Sequence, residues 1–183
     1  MTIRWPRFNI YFVLALALAL SCGCRSSEGK RKRALSTLAL HLEANPDATK
    51  RSEVVTVHRD PLIRFNIESA PFVDEGMIKE ARIIDAVGGF ALSVQFDRLG
   101  TRLLEQYTAA NRGGHVAIFS RWVEPPDQKL NKGRWIAAPK ITKLIKDGLF
   151  VFTPDVTREE AEQIATGLNN VASKLGNAKE HEF

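Results

Sequence analysis

The hydrophobic positions change period along the chain, and the changes mark out its elements. From 37 to 43 the residues alternate, with Leu38, Leu40 and Leu42 on one side and Thr37, His41 and Glu43 on the other, the period of a half-buried strand. Asn45, Pro46 and Asp47 predict a turn. Residues 54–58 form a short β-rich run that Asp60 and Pro61 break, and 62–68 alternates again with Ile63, Phe65 and Ile67 inward. After Pro71 the spacing lengthens. Met77, Ile78, Ala81, Ile84 and Val87 predict a helix, with Asp74 as its N-cap and Gly88-Gly89 as its stop. Residues 90–96 predict a strand. Asp97 then caps a second helix in which Leu99, Leu103, Tyr107 and Ala110 recur at helical spacing, stopped by Gly113-Gly114.

The strand 115–122 and the strand 134–138 predict a hairpin across a long polar loop, 124–133. Residues 141–145 and 148–152 predict two further strands. Thr157 and Glu160 have the spacing of a capping box, in which each side chain satisfies an open amide of the other residue. The last helix carries Ala161, Ile164, Ala165, Leu168 and Val171 inward and ends near Gly176. Strands outnumber helices. The expected fold is α+β, a mainly antiparallel or mixed sheet with about three helices packed on it. No repeat of solenoid length is present.

The N-terminus has a different character. Arg4 and Arg7 precede 11 apolar residues, 10–20, a length that suits the core of an export signal and falls short of the roughly 20 needed to span a bilayer. The chain's 2 cysteines, Cys22 and Cys24, stand at the end of this run, so the body of the protein has neither a disulfide framework nor a cysteine nucleophile. Leu18-Ala19-Leu20-Ser21-Cys22-Gly23-Cys24 resembles a bacterial lipoprotein signal, which implies acylation of Cys22, or alternatively Cys24. Plain secretory cleavage and an uncleaved anchor are the other readings. The expected layout is a signal over 1–22, a basic flexible tether over 23–34, the folded domain over 35–176 and a disordered tail over 177–183. Arg25, Lys30, Arg31, Lys32 and Arg33 make the tether basic, either as a solvated linker or as a patch attracted to anionic lipid. Expected membrane contact is through the lipid anchor and this tether, on the periplasmic side of the cell envelope.

Four stretches in the body carry a resemblance. Residues 69–82 place a proline before Val73-Asp74-Glu75-Gly76, 90–100 end a strand at Asp97-Arg98-Leu99-Gly100, and 108–118 read Thr-Ala-Ala-Asn-Arg-Gly-Gly-His-Val-Ala-Ile. Ala137-Ala138-Pro139 is followed at 152–165 by Phe-Thr-Pro-Asp-Val-Thr-Arg-Glu-Glu-Ala-Glu-Gln-Ile-Ala. In order and spacing these resemble the head of the first periplasmic domain of SecD, a protein-export membrane component. The resemblance spans about Val54 to Val171 and implies the fold, and a role in handling polypeptides outside the cytoplasm. It does not extend to the family's transmembrane helices and proton-coupling residues, so proton-driven translocation by this chain alone is not expected. Ser120 to Arg134 is longer and more basic than the family's tight hairpin, and Asn169-Asn170 stands near where the family has a glycine-leucine-proline exit.

Catalytic motifs are missing from the sequence. His41, His58, His115 and His181 lack metal-site spacing, no nucleophile elbow or phosphate-cradling loop occurs, and the carboxylate pairs Asp74-Glu75 and Glu159-Glu160 sit where helix starts favour them. No cofactor is expected, and no nucleic acid, because Gly114 and Val116 occupy the places where an RNA-binding strand needs aromatics. One candidate partner-binding surface remains: Arg121, Trp122, Lys129, Lys132, Arg134 and Trp135, two tryptophans among cations on one predicted hairpin. Its alternative is a tryptophan pair packing across the strands. The expected function is that of a non-catalytic envelope lipoprotein binding a protein partner, with an envelope enzyme or a purely structural envelope protein as alternatives. Intact-mass measurement of the membrane-extracted protein is expected to give the chain starting at Cys22 plus acyl groups. Membrane-bound protein that retains Met1 would favour the uncleaved anchor, and protein found free in the cytosol with Met1 attached would refute the export reading.

Overall fold

The computed structural model describes residues 34–45, 51–57, 62–124, 129–130 and 133–180, all of them in the unit Ala34–Phe183. Residues 1–33, which hold the expected signal, Cys22, Cys24 and all but the last residue of the expected tether, lie outside the described residues, as do Pro46 and Asp47 of the expected turn, His58, Lys132 and 181–183. Ten strands and two α-helices are described: β1 (Ser36–Leu42), β2 (Ser52–Val57), β3 (Ile63–Glu68), β4 (Val73–Asp74), β5 (Ile78–Ala86), β6 (Gly89–Phe96), α1 (Arg98–Ala110), β7 (Val116–Glu124), β8 (Lys129–Leu130), β9 (Arg134–Ala137), β10 (Leu149–Phe152) and α2 (Arg158–Glu180).

The described strands pair antiparallel throughout. A five-stranded sheet runs β4-β1-β7-β8, with β9 also on β7. A three-stranded sheet runs β10-β6-β5, and β2-β3 is a separate hairpin. The fold class is α+β as expected, with two α-helices in place of about three.

The missing helix is β5. Asp74 does cap as expected, its side chain accepting from Gly76 N–H at 2.9 Å, but what it caps is a single 3-10 turn, Glu75–Met77. The chain then pairs with β6 over Ile78–Ala86, with an irregularity between Ile78 and Glu80. That bulge puts an extra residue into the strand. Ile78 and Ala81 both become buried, three apart, and a strand acquires the spacing of a helix. Residues 141–145 are not a strand either.

One core serves both larger sheets. Leu38, Leu40, Val116, Ile118 and Trp122 enter it from the five-stranded sheet, Leu92, Val94, Phe150 and Phe152 from the three-stranded one, and Ile164 and Leu168 from α2. The other face of the five-stranded sheet is covered by the hairpin, where Val55, Ile67 and Ala117 are buried with Phe65 and Trp135 against them. His41, expected to face solvent, lies under this hairpin at 7% exposure, and its Nδ1–H donates to Glu68 O at 2.8 Å. A carbonyl only accepts, so the proton sits on Nδ1.

α2 opens with the capping box the sequence predicts: Glu160 Oε2 accepts from Thr157 N–H at 2.7 Å and Thr157 Oγ1 from Glu160 N–H at 3.2 Å. It continues past Gly176 to Glu180. At Gly167 it passes so close to β1 that a Cβ would stand 2.2 Å from Ser36 Oγ and 2.6 Å from Ser36 N. The obstacle is partly backbone and cannot rotate away. Gly167→Ala is therefore expected to destabilise the domain by about 1–3 kcal/mol through overpacking, read as a lower midpoint with an unchanged slope in denaturant unfolding. A midpoint equal to that of the parent would show that α2 can lift off β1 without cost.

Candidate functional site

The six predicted surface residues do not form one surface. In β7, Val116, Ile118, Ser120 and Trp122 share the inward side, as the two-residue period of a strand requires. Trp122 is 0% exposed and belongs to the core. Arg134, opposite Ser120, turns the same way. Its guanidinium lies 5.1 Å from the Trp122 ring centre and donates to Glu160 Oε2 at 2.9 Å and to Asp155 O at 3.3 Å. Arg134 thus fastens the sheet to the start of α2. Trp135 and Arg121 face the other side, where Trp135 meets His41 edge-on at 5.1 Å and Phe119 at 5.2 Å, and Arg121 lies over Phe119 at 5.5 Å. Only Arg121 of these four is exposed. Lys129 lies in β8, of whose side chains nothing is described, and Lys132 is outside the described residues. The cross-strand tryptophan pair is absent too, because the two rings lie on opposite faces.

The feature that the sequence did not single out is a cleft of about 420 Å³ between β10 and the loop 139–147. Pro139 to Ile141 extend the ladder next to β7: Val116 N–H donates to Pro139 O at 3.0 Å, Ile141 N–H to Gly114 O at 2.8 Å and Gly113 N–H to Ile141 O at 2.9 Å. The loop then crosses the C-terminal half of α1. There Thr108, 0% exposed, accepts from Ile145 N–H at 3.1 Å while its hydroxyl donates to Leu104 O at 2.6 Å. A buried hydroxyl that serves as donor and acceptor at once ties the loop to the helix. Gly148 returns the chain into β10 at φ +68°, with Thr101 Oγ1 2.0 Å from where a Cβ would lie, so both conformation and space require glycine. The cleft floor is apolar, with Val116 and Ile141 buried, and its rim carries the exposed Lys140, Lys143 and Lys146.

A second, broader hollow of about 590 Å³ lies just past the C-terminus of α1, between Arg64, Arg112 and His115. Its central pair is structural in form. Glu43 Oε2 accepts from both His115 N–H at 2.9 Å and Nδ1–H at 2.7 Å, and the His115 ring meets Phe65 at 4.9 Å, which holds the hairpin against the sheet. Among the described residues no group of three or more His, Cys, Asp or Glu is placed to hold a metal ion, and no helix is long and apolar enough to cross a membrane.

The strand order, the capped turn at Asp74 and the Thr108 to Gly114 corner can be set beside known families. Residues 52–172 match the family described as SecDF, P1 head subdomain. The chain belongs to that family. Solved structures agree on the fold. One of the membrane component SecDF, which enhances protein export, is 19% identical with a TM-score of 0.53, covering 81% of this chain and 70% of that one. Another, of SecDF in a super-membrane-facing form, is 19% identical with a TM-score of 0.52, covering 81% of this chain and 21% of that one. This SecDF P1 head chain therefore spans about a fifth of the longer SecDF chain. No curated protein sequence matches it. Within the family frame, Thr108 gains a reason: it begins the third resembling stretch, and its side chain sets the cleft loop in place.

Two substitutions separate the core tryptophan from the surface arginine. Trp122→Ala is expected to cost about 3–5 kcal/mol of stability, and Arg121→Ala to stay within about 0.5 kcal/mol, both by denaturant unfolding. A tolerated Trp122→Ala would mean that the ring is not packed as described.

Proposed function

We propose that this chain is a non-catalytic module of the cell envelope that binds extended polypeptide outside the cytoplasm, in the service of protein export or envelope assembly. Membership of the SecDF P1 head family supports the setting, since the SecDF of the solved structure is a membrane component that enhances protein export. The observation that carries the binding is the cleft beside β10, with an apolar floor and a cationic rim along the edge of a sheet. Such an edge presents main-chain groups that any unfolded chain can match, whatever its sequence.

In this reading the N-terminal segment delivers the domain and keeps it at the membrane. Acylation at Cys22, or alternatively Cys24, supplies apolar burial of about 0.8 kcal/mol per methylene, and the basic tether adds attraction to anionic headgroups. Arg121, exposed on the hairpin side of the five-stranded sheet, is together with the loop lysines Lys129 and Lys132 what remains of the partner surface read from the sequence.

The test uses the full chain in detergent and a permanently unfolded probe, a reduced and carboxymethylated globular protein carrying a fluorophore. Anisotropy is expected to show saturable binding of the unfolded probe and none of the same protein in its native, disulfide-bonded state. Equal binding of the two states, or of neither, would refute the proposal.

A further inference from the structure

The two edges of the three-stranded sheet are treated differently. On β5, the outward main chain of Ala81 is closed by one side chain: Ala81 N–H donates to Asn169 Oδ1 at 2.8 Å, and Asn169 Nδ2 donates to Ala81 O at 2.9 Å. A carboxamide held this way copies the donor and acceptor of a neighbouring strand. On β10, Phe96 N–H donates to Gly148 O at 3.0 Å, and the register pairs Phe150 with Val94 and Phe152 with Leu92. Hydrogen-bonded pairs alternate along an antiparallel ladder. Leu149 and Val151 therefore turn their main-chain groups away from β6. Leu149 N–H is taken by Asp147 Oδ1 at 3.1 Å. Leu149 C=O and both groups of Val151 make no bond among the described residues, and they lie along the cleft.

The surroundings state what chemistry fits there. Leu149 and Val151 are 41% and 44% exposed, while Phe150 and Phe152 are buried, so the strand offers an alternating apolar face. Lys140, Lys143 and Lys146 stand every third residue along the opposite wall, and Asp147, the carboxylate beside them, is engaged by Leu149. We propose that β10 takes an extended acidic polypeptide segment as an added strand, its main chain pairing with Val151 and Leu149 and its carboxylates facing the lysine loop. The inference rests on the polypeptide-binding reading and names the mode and the charge of what is bound. Main-chain pairing supplies affinity without regard to sequence, and the lysines supply a bias by charge that added salt weakens.

The experiment measures three labelled peptides against the full chain by anisotropy: alternating Thr and Glu, alternating Thr and Lys, and the Thr–Glu peptide N-methylated at alternate residues. The acidic peptide is expected to bind best. Val151→Pro in the protein should weaken it about tenfold, the loss of one well-made hydrogen bond, and N-methylation of the amides that reach Leu149 C=O and Val151 C=O should weaken it by more than that. Proline is tolerable at an edge position whose N–H points outward, and the N-methylated peptide decides the question even if that variant fails to fold. Lys143→Glu together with Lys146→Glu should transfer the preference to the Thr–Lys peptide. Equal binding of plain and N-methylated peptides would overturn strand addition while binding of the unfolded probe still stood. Binding that ignores peptide charge would overturn the lysine assignment. Failure of every peptide and of the unfolded probe would overturn both proposals, and a dimer that Val151→Pro dissociates would assign the edge to a second copy of the chain.

Discussion

The close passage of α2 over β1 at Gly167 is the contact on which the arrangement of the domain depends. An α-helix with ordinary side chains at its contact face stands well clear of a strand. Here the absence of a Cβ lets the backbones of two elements approach, and Ile164 and Leu168 are carried into a core that also receives β6 and β10. The helix then sets its remaining contacts at fixed distances along its length. Its first turn presents Glu160 to Arg134 of β9. Two residues past the contact, Asn169 reaches the main chain of β5. One glycine thus determines both how the sheets share a core and which sheet edge is covered.

Much of the fold was legible because most strands alternate cleanly. Leu38, Leu40 and Leu42 of β1 are all buried, and the Thr157–Glu160 box forms as its spacing says. What misled was a change of phase. The bulge near Lys79 separates Ile78 from Ala81 by three residues, and no local feature distinguishes that from a helix. In α1 the stripe was half right: Leu103 and Tyr107 pack half-buried against the core, but the fully buried positions are Gly100, Leu104 and Thr108, while Leu99 is 55% exposed. Small residues mark where a helix touches its neighbours, and a hydropathy pattern gives them no weight.

The site was less legible, for two physical reasons. Trp122 and Trp135 are close in the hairpin, but which face each occupies depends on the register across a long loop and on an irregularity between Ile118 and Phe119. A shift of one residue reverses the face of every side chain. The cleft depends on contacts between distant parts of the chain, Thr108 with Ile145 and Asn169 with Ala81, each a single polar group of an unremarkable type. Residue types and spacing identified the family and the α+β class. They did not say where a sheet would be left open.

The separation of the tryptophans has an optical consequence. Besides Trp5, the chain has Trp122 in the main core and Trp135 on the opposite face of the same sheet, edge-on to His41. The first is a shielded, blue-emitting fluorophore, out of reach of dissolved iodide. The second senses the hairpin that covers it, with an imidazole at hand as a quencher. Single-tryptophan versions would give each layer its own light, and peeling of the hairpin could be followed apart from melting of the core.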